Sequence, residues 1–135
     1  MIQRAFASVF AEDLPAVRDF YVSLFVWKIS FDSDWFVHLQ AEVDENIELG
    51  ILRRDHEIVP EQFRAAPRGA MLTIVVEDVD TLHERARASG LEILEAPRDL
   101  FYGQRRMVLR DPAGTMVDVS SECEPSPEFI ALLQG

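Results

Sequence analysis

A carboxylate stands inside an apolar run near the end of the chain, where it could bind a metal ion or a cationic group. Asp118 lies among Met116, Val117 and Val119, shortly after the turn-forming sequence DPAG at 111–114. Side chains alternate between the two faces of a strand, so Asp118 shares a face with Met116 and opposes the two valines. This alternation predicts that Asp118 faces a cleft rather than a helix-packed core.

A second acid has the same kind of surroundings. Glu48 lies between Ile47 and Leu49 and alternates with them in the same way. An unpaired buried acid is costly, so each acid either faces a ligand or forms a salt bridge with an arginine such as Arg105 or Arg106. The sequence leaves both interpretations open.

One histidine and several aromatic residues are further candidates. His38 has the parity of Phe36 and Gln40, and on a cleft face it could act as a general base or as a metal ligand. Hydrogen bonding on a sheet is the alternative role. An aromatic wall for a flat or cationic ligand could come from a larger set, each member of which could instead pack in the core: Phe6, Trp35, Phe36, Phe101 and Tyr102.

Composition excludes several classes of protein. The formal net charge is −11 and Lys28 is the only lysine, which argues against binding to nucleic acid. No run approaches the roughly 18 apolar residues of a membrane span. The N-terminus does not resemble a secretory signal. Cys123 is the only cysteine, so we expect no internal disulfide and a reducing cytoplasmic location.

Two segments of the chain follow the same pattern, 65 residues apart. The segments starting at Glu12 and Glu77 both open with an acidic pair whose aspartate can cap a helix, and apolar residues then recur at helical spacing. A strand-like run precedes each helix, at 6–10 and 71–76, and three more follow it. The sequence therefore predicts an α+β fold of two βαβββ modules.

The boundaries follow from this pattern. We expect one domain over 1–135, with modules at 2–53 and 70–121, an inter-module connection at 54–69 and a tail at 122–135. The connection has two prolines and four arginines when it is counted from Arg53 to Gly69. The tail should form one short helix around Phe129, Leu132 and Leu133.

Two motifs on this duplicated pattern resemble those of the vicinal oxygen chelate superfamily, which includes glyoxalase I, extradiol dioxygenases and bleomycin-resistance proteins. They are DLPAVRDFYVSLF, from Asp13, and YGQRRMVLRDPAGTMVDV, from Tyr102. The resemblance implies two βαβββ modules forming a curled mixed sheet with a cleft. It also implies pairing of modules within or between chains, so we expect a homodimer.

The metal enzymes of that superfamily place a ligand on the first and last strands of each module. The resemblance puts the first-strand positions at Phe6 and Met71 and the late-strand positions at Glu48 and Asp118. Phenylalanine cannot ligate a metal, and a thioether suits copper(I) rather than Zn, Ni, Fe(II) or Mn. We therefore expect no metal and no cofactor; any metal present would be held by Glu48 and Asp118. Arg105 matches the family's glycine-x-arginine motif and could clamp an anionic group or one of the acids.

These residues favour a metal-independent small-molecule-binding protein of the bleomycin-resistance type, sequestering a drug or natural product in an apolar, acid-bearing cleft. The alternative is a glyoxalase-like lyase or dioxygenase-related enzyme that uses a divalent metal or the paired carboxylates. A third possibility is an interaction domain without a ligand. Nine residues are predicted to line the ligand site: Phe6, Trp35, Phe36, His38, Glu48, Met71, Tyr102, Arg105 and Asp118.

Overall fold

A computed structural model describes all residues, 1–135, and contains two compact units. Unit 1 comprises 1–70 together with 111–115, and unit 2 comprises 71–110 together with 116–135. Each unit has a four-stranded mixed sheet and a long helix, and unit 2 adds a C-terminal helix. The predicted α+β class and the repeated βαβββ order are confirmed.

Unit 1 begins with strand β1 (Ala7–Ala11) and helix α1 (Leu14–Leu24). Strands β2 (Trp27–Asp32), β3 (Phe36–Ala41) and β4 (Glu48–Arg53) follow. The strand order is β1-β4-β3-β2, with β1 parallel to β4 and the other pairs antiparallel. A 3₁₀ turn at Glu61–Phe63 interrupts the segment that follows β4.

Unit 2 repeats this order with β5 (Met71–Val75), α2 (Val79–Ala88), β6 (Glu92–Asp99), β7 (Gln104–Arg110) and β8 (Met116–Glu122). The order is β5-β8-β7-β6, and only β5 and β8 are parallel. Helix α3 (Pro127–Gln134) forms where the tail was predicted to be helical. Strand β6 continues beyond the expected apolar run and includes Pro97, which an edge strand with register shifts tolerates.

The two long helices start at equivalent positions. Asp13 caps α1 by accepting a hydrogen bond from the Ala16 backbone N–H, and Asp78 caps α2 through the N–H groups of Asp80 and Thr81. The two caps are 78 − 13 = 65 residues apart, so the predicted repeat and its capping are confirmed. Gly90, with φ +68°, follows α2 and allows the Leu91 N–H to return to the Ala86 carbonyl.

The core of each unit lies between the long helix and one face of the sheet. In unit 1 the packed residues include Val17 and Tyr21 of α1 and Leu39 and Ile51 of the sheet, all at most 1% exposed. In unit 2 the same layer is a set of residues from α2, β7 and β8, namely Val79, Ala86, Met107, Leu109, Val117 and Val119. The opposite face of each sheet does not pack against the long helix.

None of the helices is long and apolar enough to cross a membrane.

Candidate functional site

The face of the unit 1 sheet that turns away from α1 is here called the open face. Strand register places its members side by side, since partners in a ladder share a face. It carries three aromatic or imidazole rings and an acid, and its central residues are Phe6, Ser8, Phe36, His38, Glu48 and Gly50. Strands β3 and β4 thus bring three more of the nine predicted ligand residues to the same face as Phe6: Phe36, His38 and Glu48.

Glu48 is the centre of a hydrogen-bonded cluster on this face. Its side chain is only 6% exposed, and His38, at 13%, lies with Nε2 2.8 Å from Oε1. Arg4 donates from Nε to both carboxylate oxygens, at 2.9 and 3.0 Å, and from Nη2 to Oε1. The acid is therefore fully paired within unit 1, and its partner is an arginine that precedes the first strand.

Both ring nitrogens of His38 have polar partners. Nε2 lies 2.8 Å from Oε1 of Glu48 and 3.1 Å from Nη2 of Arg4. Nδ1 lies beside the hydroxyl oxygen of Ser30, and that hydroxyl donates to the backbone carbonyl of His38 at 3.1 Å. His38 is consequently held at both ends, as an oriented base or hydrogen-bonding group would be.

Arg4 also sets the charge state of Glu48. Its hydrogen bond is the main reason that the pKa of Glu48 lies below its ordinary value, and burial of the carboxyl opposes this shift. The hydrogen bond from His38 lowers the pKa further. Glu48 is therefore a carboxylate at neutral pH, with a negative charge on the open face that needs a cationic partner.

Aromatic rings surround this charge. The Phe6 ring meets His38 edge-on, with centroids 5.5 Å apart, and the Arg4 guanidinium carbon lies 4.8 Å from the centre of the Phe6 ring. Phe36 lies 6.5 Å from His38 on the other side. Gly50 leaves room for Phe36, because a Cβ there would come within 3.1 Å of the Phe36 ring. The face thus combines a carboxylate with aromatic walls.

A pocket of about 440 Å³ borders the open face at strand β1. Ser8 lines it together with Phe10, and mostly apolar residues of the segment after β4, such as Phe63 and Pro67, form its other wall. Ligand pockets in proteins commonly have volumes of roughly 300–1,000 Å³. Unit 1 therefore offers both a cavity of suitable size and a polar group beside it.

Trp35 belongs to a different environment from the other aromatic residues. Its ring stacks on His56, with centroids 4.6 Å apart and an interplanar angle of 23°. It also touches Phe36, at 5.7 Å, but does not reach His38. The predicted ligand role of Trp35 stays a prediction, and its observed partner is a histidine of the loop after β4.

The second acid is paired inside unit 2. Oδ2 of Asp118 accepts a hydrogen bond of 3.0 Å from Thr73, and Oδ1 lies 3.2 Å from Nε of Arg106. The latter contact is an ion pair that does not meet hydrogen-bond geometry. The Asp118 side chain is 8% exposed and that of Arg106 is 21% exposed. The salt-bridge interpretation, with Arg106 as the arginine, is the one that describes Asp118.

Three other predicted site residues of unit 2 lie apart from this pair. Arg105 does not clamp Asp118, because it points to the other face and pairs with Asp80 of α2 and with Asp99. Tyr102 sits in the turn between β6 and β7, where its ring contacts Phe101 at 5.3 Å. Met71 is 53% exposed on the same face as Asp118, beside Met116 in the ladder.

The register also corrects the alignment of the two acids. In unit 1 Ser8 pairs with Gly50, and in unit 2 its counterpart 65 residues on, Thr73, pairs with Asp118. Gly50 is therefore the structural equivalent of Asp118, and Glu48 lies two residues earlier on the same face. Glu48 and Asp118 are not equivalent positions, although each lies in the last strand of its module.

The residues present do not fit a divalent transition metal. Phe6 offers no donor atom, Met71 offers a soft thioether, and Gly50 stands where the repeat would require a ligand. Arginines already occupy the carboxylates of Glu48 and Asp118. The structure contains no group of three His, Cys, Asp or Glu residues that could hold a metal ion.

Sequence reasoning missed Arg4, Ser30 and Thr73, which complete these clusters. Arg4 lies in an irregular segment that gives no periodicity to interpret. Thr73 was recoverable in principle, since alternation along β5 places it on the same face as Met71. Ser30 lies at a register shift between Ile29 and Phe31, where simple alternation fails.

The fold, the duplicated register and the open face define a chain of the glyoxalase type. A family model, the Glyoxalase/Bleomycin resistance protein/Dioxygenase superfamily, matches residues 3–119, and the chain belongs to this family. None of the curated proteins is significantly similar to the chain in sequence.

Solved structures of this superfamily share the fold. A glyoxalase/bleomycin resistance protein/dioxygenase family enzyme from Burkholderia phytofirmans PsJN has a TM-score of 0.72 and 22% identity, covering 87% of this chain and 96% of its own. A lactoylglutathione lyase from Agrobacterium tumefaciens has a TM-score of 0.67 and 20% identity, with coverage of 89% and 94%. A superfamily member from Sphaerobacter thermophilus has a TM-score of 0.73 and 19% identity, covering 90% and 98%. At these identities the likeness establishes the fold alone.

Proposed function

We propose that the protein binds a small organic molecule on the open face of unit 1 without using a metal ion. The observation that carries this proposal is the cluster of Glu48, His38 and Phe6, a nearly buried carboxylate among rings. A pocket of about 440 Å³ at strand β1, lined by Ser8 of the same face, adds space for a ligand. Such a site needs shape, aromatic surface and charge but no chemical step. Sequestration of a drug or natural product would follow from binding alone.

Metal content is the first test. Protein purified without a chelator should contain far less than one Zn, Ni, Fe or Mn per chain. About one such ion per chain, removed by a chelator together with ligand binding, would overturn the metal-independent proposal.

Ligand binding is the second test. A panel of aromatic natural products, bleomycin included, should contain compounds that raise the melting temperature of the wild type. Phe36→Ala should weaken binding of these compounds, because Phe36 forms one wall of the open face. Phe101→Ala is the matched control, because that ring is 64% exposed in unit 2. Equal loss in both variants would contradict a site on the open face.

A metal-free enzyme is the second candidate function, and the restrained His38 is the observation that favours it. Its Nε2 faces Glu48 and its Nδ1 faces Ser30, as in an imidazole positioned for proton transfer. One neighbour in fold is named a lactoylglutathione lyase, so lactoylglutathione formation is the reaction to assay. Turnover that persists in metal-free protein and is lost in His38→Gln would favour a metal-free enzyme over simple binding.

We propose a reducing cytoplasm as the compartment and a homodimer as the assembled form. The single cysteine, which allows no internal disulfide, supports the compartment. The net charge of −11 supports a small-molecule partner rather than nucleic acid. Retention on a heparin or DNA column at physiological salt would contradict the proposal that the partner is a small molecule rather than nucleic acid.

A further inference from the structure

Arg4 reaches Glu48 from a part of the chain that has no regular structure. Residues 1–6 precede β1 and form neither helix nor strand. The Arg4 side chain is 58% exposed, whereas the carboxylate that it binds is 6% exposed. A solvent-exposed cation from an irregular segment therefore completes a site that is otherwise built into the sheet.

The groups around Arg4 match the requirements of a planar cation. Glu48 accepts hydrogen bonds from two nitrogens of the guanidinium, and the Phe6 ring lies 4.8 Å from its central carbon. Nη2 also lies 3.1 Å from Nε2 of His38. A carboxylate that accepts a fork of N–H groups beside an aromatic face is how proteins recognise guanidinium and amidinium ions.

The pairs between arginines and exposed acids do not share this design. Arg18 extends from α1 to Asp19 and Asp32, whose side chains are 69% and 44% exposed. Those acids remain hydrated without their arginine, so little is lost when the pair opens. Glu48 is different, because a nearly buried carboxylate needs a cation at all times.

We propose that the open-face site takes a ligand bearing a guanidinium or amidinium group, and that Arg4 occupies the site until the ligand displaces it. The inference rests on the proposed function and names its ligand class. An intramolecular competitor on a short irregular segment acts at an effective concentration on the order of millimolar. Arg4 therefore weakens binding of every cation that competes for Glu48.

Benzamidine is the probe, because it joins an amidinium to a phenyl ring; benzamide, its neutral counterpart, is the control ligand. Calorimetric titration of Arg4→Ala should give an affinity for benzamidine at least about tenfold higher than that of the wild type. Benzamide should bind neither protein measurably. Arg18→Ala, which removes an arginine elsewhere in unit 1, should behave as the wild type does.

The double variant Arg4→Ala/Glu48→Gln isolates the carboxylate. It lacks both the competitor and the charge, so benzamidine affinity should fall back to the wild-type level or below. No gain in affinity in Arg4→Ala would overturn the proposal, and so would equal binding of benzamide. Equal binding of benzamidine and benzamide would still support small-molecule binding on this face. That result would contradict the cationic ligand class without contradicting the proposed function.

A measurement on the wild type covers the case in which Arg4→Ala does not fold. The Nε–H resonance of Arg4 should move from a hydrogen-bonded to a free shift when benzamidine saturates the protein. A resonance that stays unchanged while benzamidine binds would overturn displacement of Arg4.

Discussion

The hydroxyl of Tyr21 donates a hydrogen bond of 2.8 Å to Oδ2 of Asp111, joining two motifs that are 90 residues apart in the chain. Asp111 is 2% exposed, and its other oxygen, Oδ1, accepts the backbone N–H groups of Ala113, Gly114 and Thr115 at 2.9–3.0 Å. Asp111 therefore stabilises the turn at 111–115 and links that turn to α1 through a hydrogen bond. Its role is structural.

Tyr21→Phe should destabilise the protein by about 1.5–3 kcal/mol, because it removes a buried hydrogen bond to a charged acceptor. Urea unfolding followed by circular dichroism measures the change. Tyr102→Phe is the matched control, since that half-exposed residue has only a ring contact in the structure, and its effect should stay below about 0.5 kcal/mol. Equal effects of the two substitutions would contradict the role of the Tyr21–Asp111 bond.

The same pair predicts sensitivity to alkali. Burial, and then the nearby Asp111 charge, raise the pKa of Tyr21 above its ordinary value of 10.0. A raised folded-state pKa means that the native state holds its proton longer than the unfolded state. Tyr21 therefore contributes stability below about pH 10 that is lost progressively above it. Tyr21→Phe should show a shallower fall in melting temperature between pH 9 and 11.

Much of the fold follows from local patterns. Helical periodicity, the caps at Asp13 and Asp78 and the strand-like runs predict both modules, because these patterns depend on neighbouring residues alone. Most strands differ from the predicted runs by one or two residues at their ends. Strand β6 differs most, because it extends past the apolar run LEIL at 91–94, through Pro97 and bulges that only pairing with β7 stabilises.

The candidate site was only partly predictable. Alternation predicts that Phe36 and His38 share one face of β3, since strand parity is a local property. The β3–β4 register, which alternation alone does not give, adds Glu48 to that face. The partners of the acids depend on tertiary structure. Whether Arg105 or Arg106 reaches Asp118 is decided by the β7–β8 register, and the path of Arg4 depends on an irregular segment.

Asp118→Asn should lower the melting temperature in the absence of any ligand. The substitution leaves Arg106 without its closest partner, because Glu95 is 3.9 Å away and half-exposed. Loss of a partly buried pair of this kind should cost about 1–3 kcal/mol, less than for a fully buried pair because Arg106 retains some solvent contact. Asp99→Asn, in an exposed pair with Arg105, is the control and should change little. An unchanged or higher melting temperature would instead favour a ligand-facing acid.

Sedimentation should find a homodimer at micromolar concentration. The family resemblance implies pairing of modules within or between chains, and a chain of 15.4 kDa divided between two sheets has a small core. The face of the unit 2 sheet that turns away from α2 also carries the exposed side chains of Met71 and Val75, at 53% and 62%. A monomer throughout the micromolar range would contradict this prediction.

Arg4→Ala should raise the pKa of Glu48, measured from the carboxyl ¹³C shift during an acid titration. The arginine hydrogen bond is the largest cause of the lowered pKa, and without it the opposing effect of burial remains. Because the folded-state pKa is lowered, Glu48 contributes stability above its ordinary value of 4.5, and this contribution is lost as the pH falls through the lowered pKa. The variant should therefore lose less stability than the wild type on acidification. Arg18→Ala should leave the Glu48 titration unchanged, and an unchanged titration in Arg4→Ala would show that Arg4 does not occupy the site in solution.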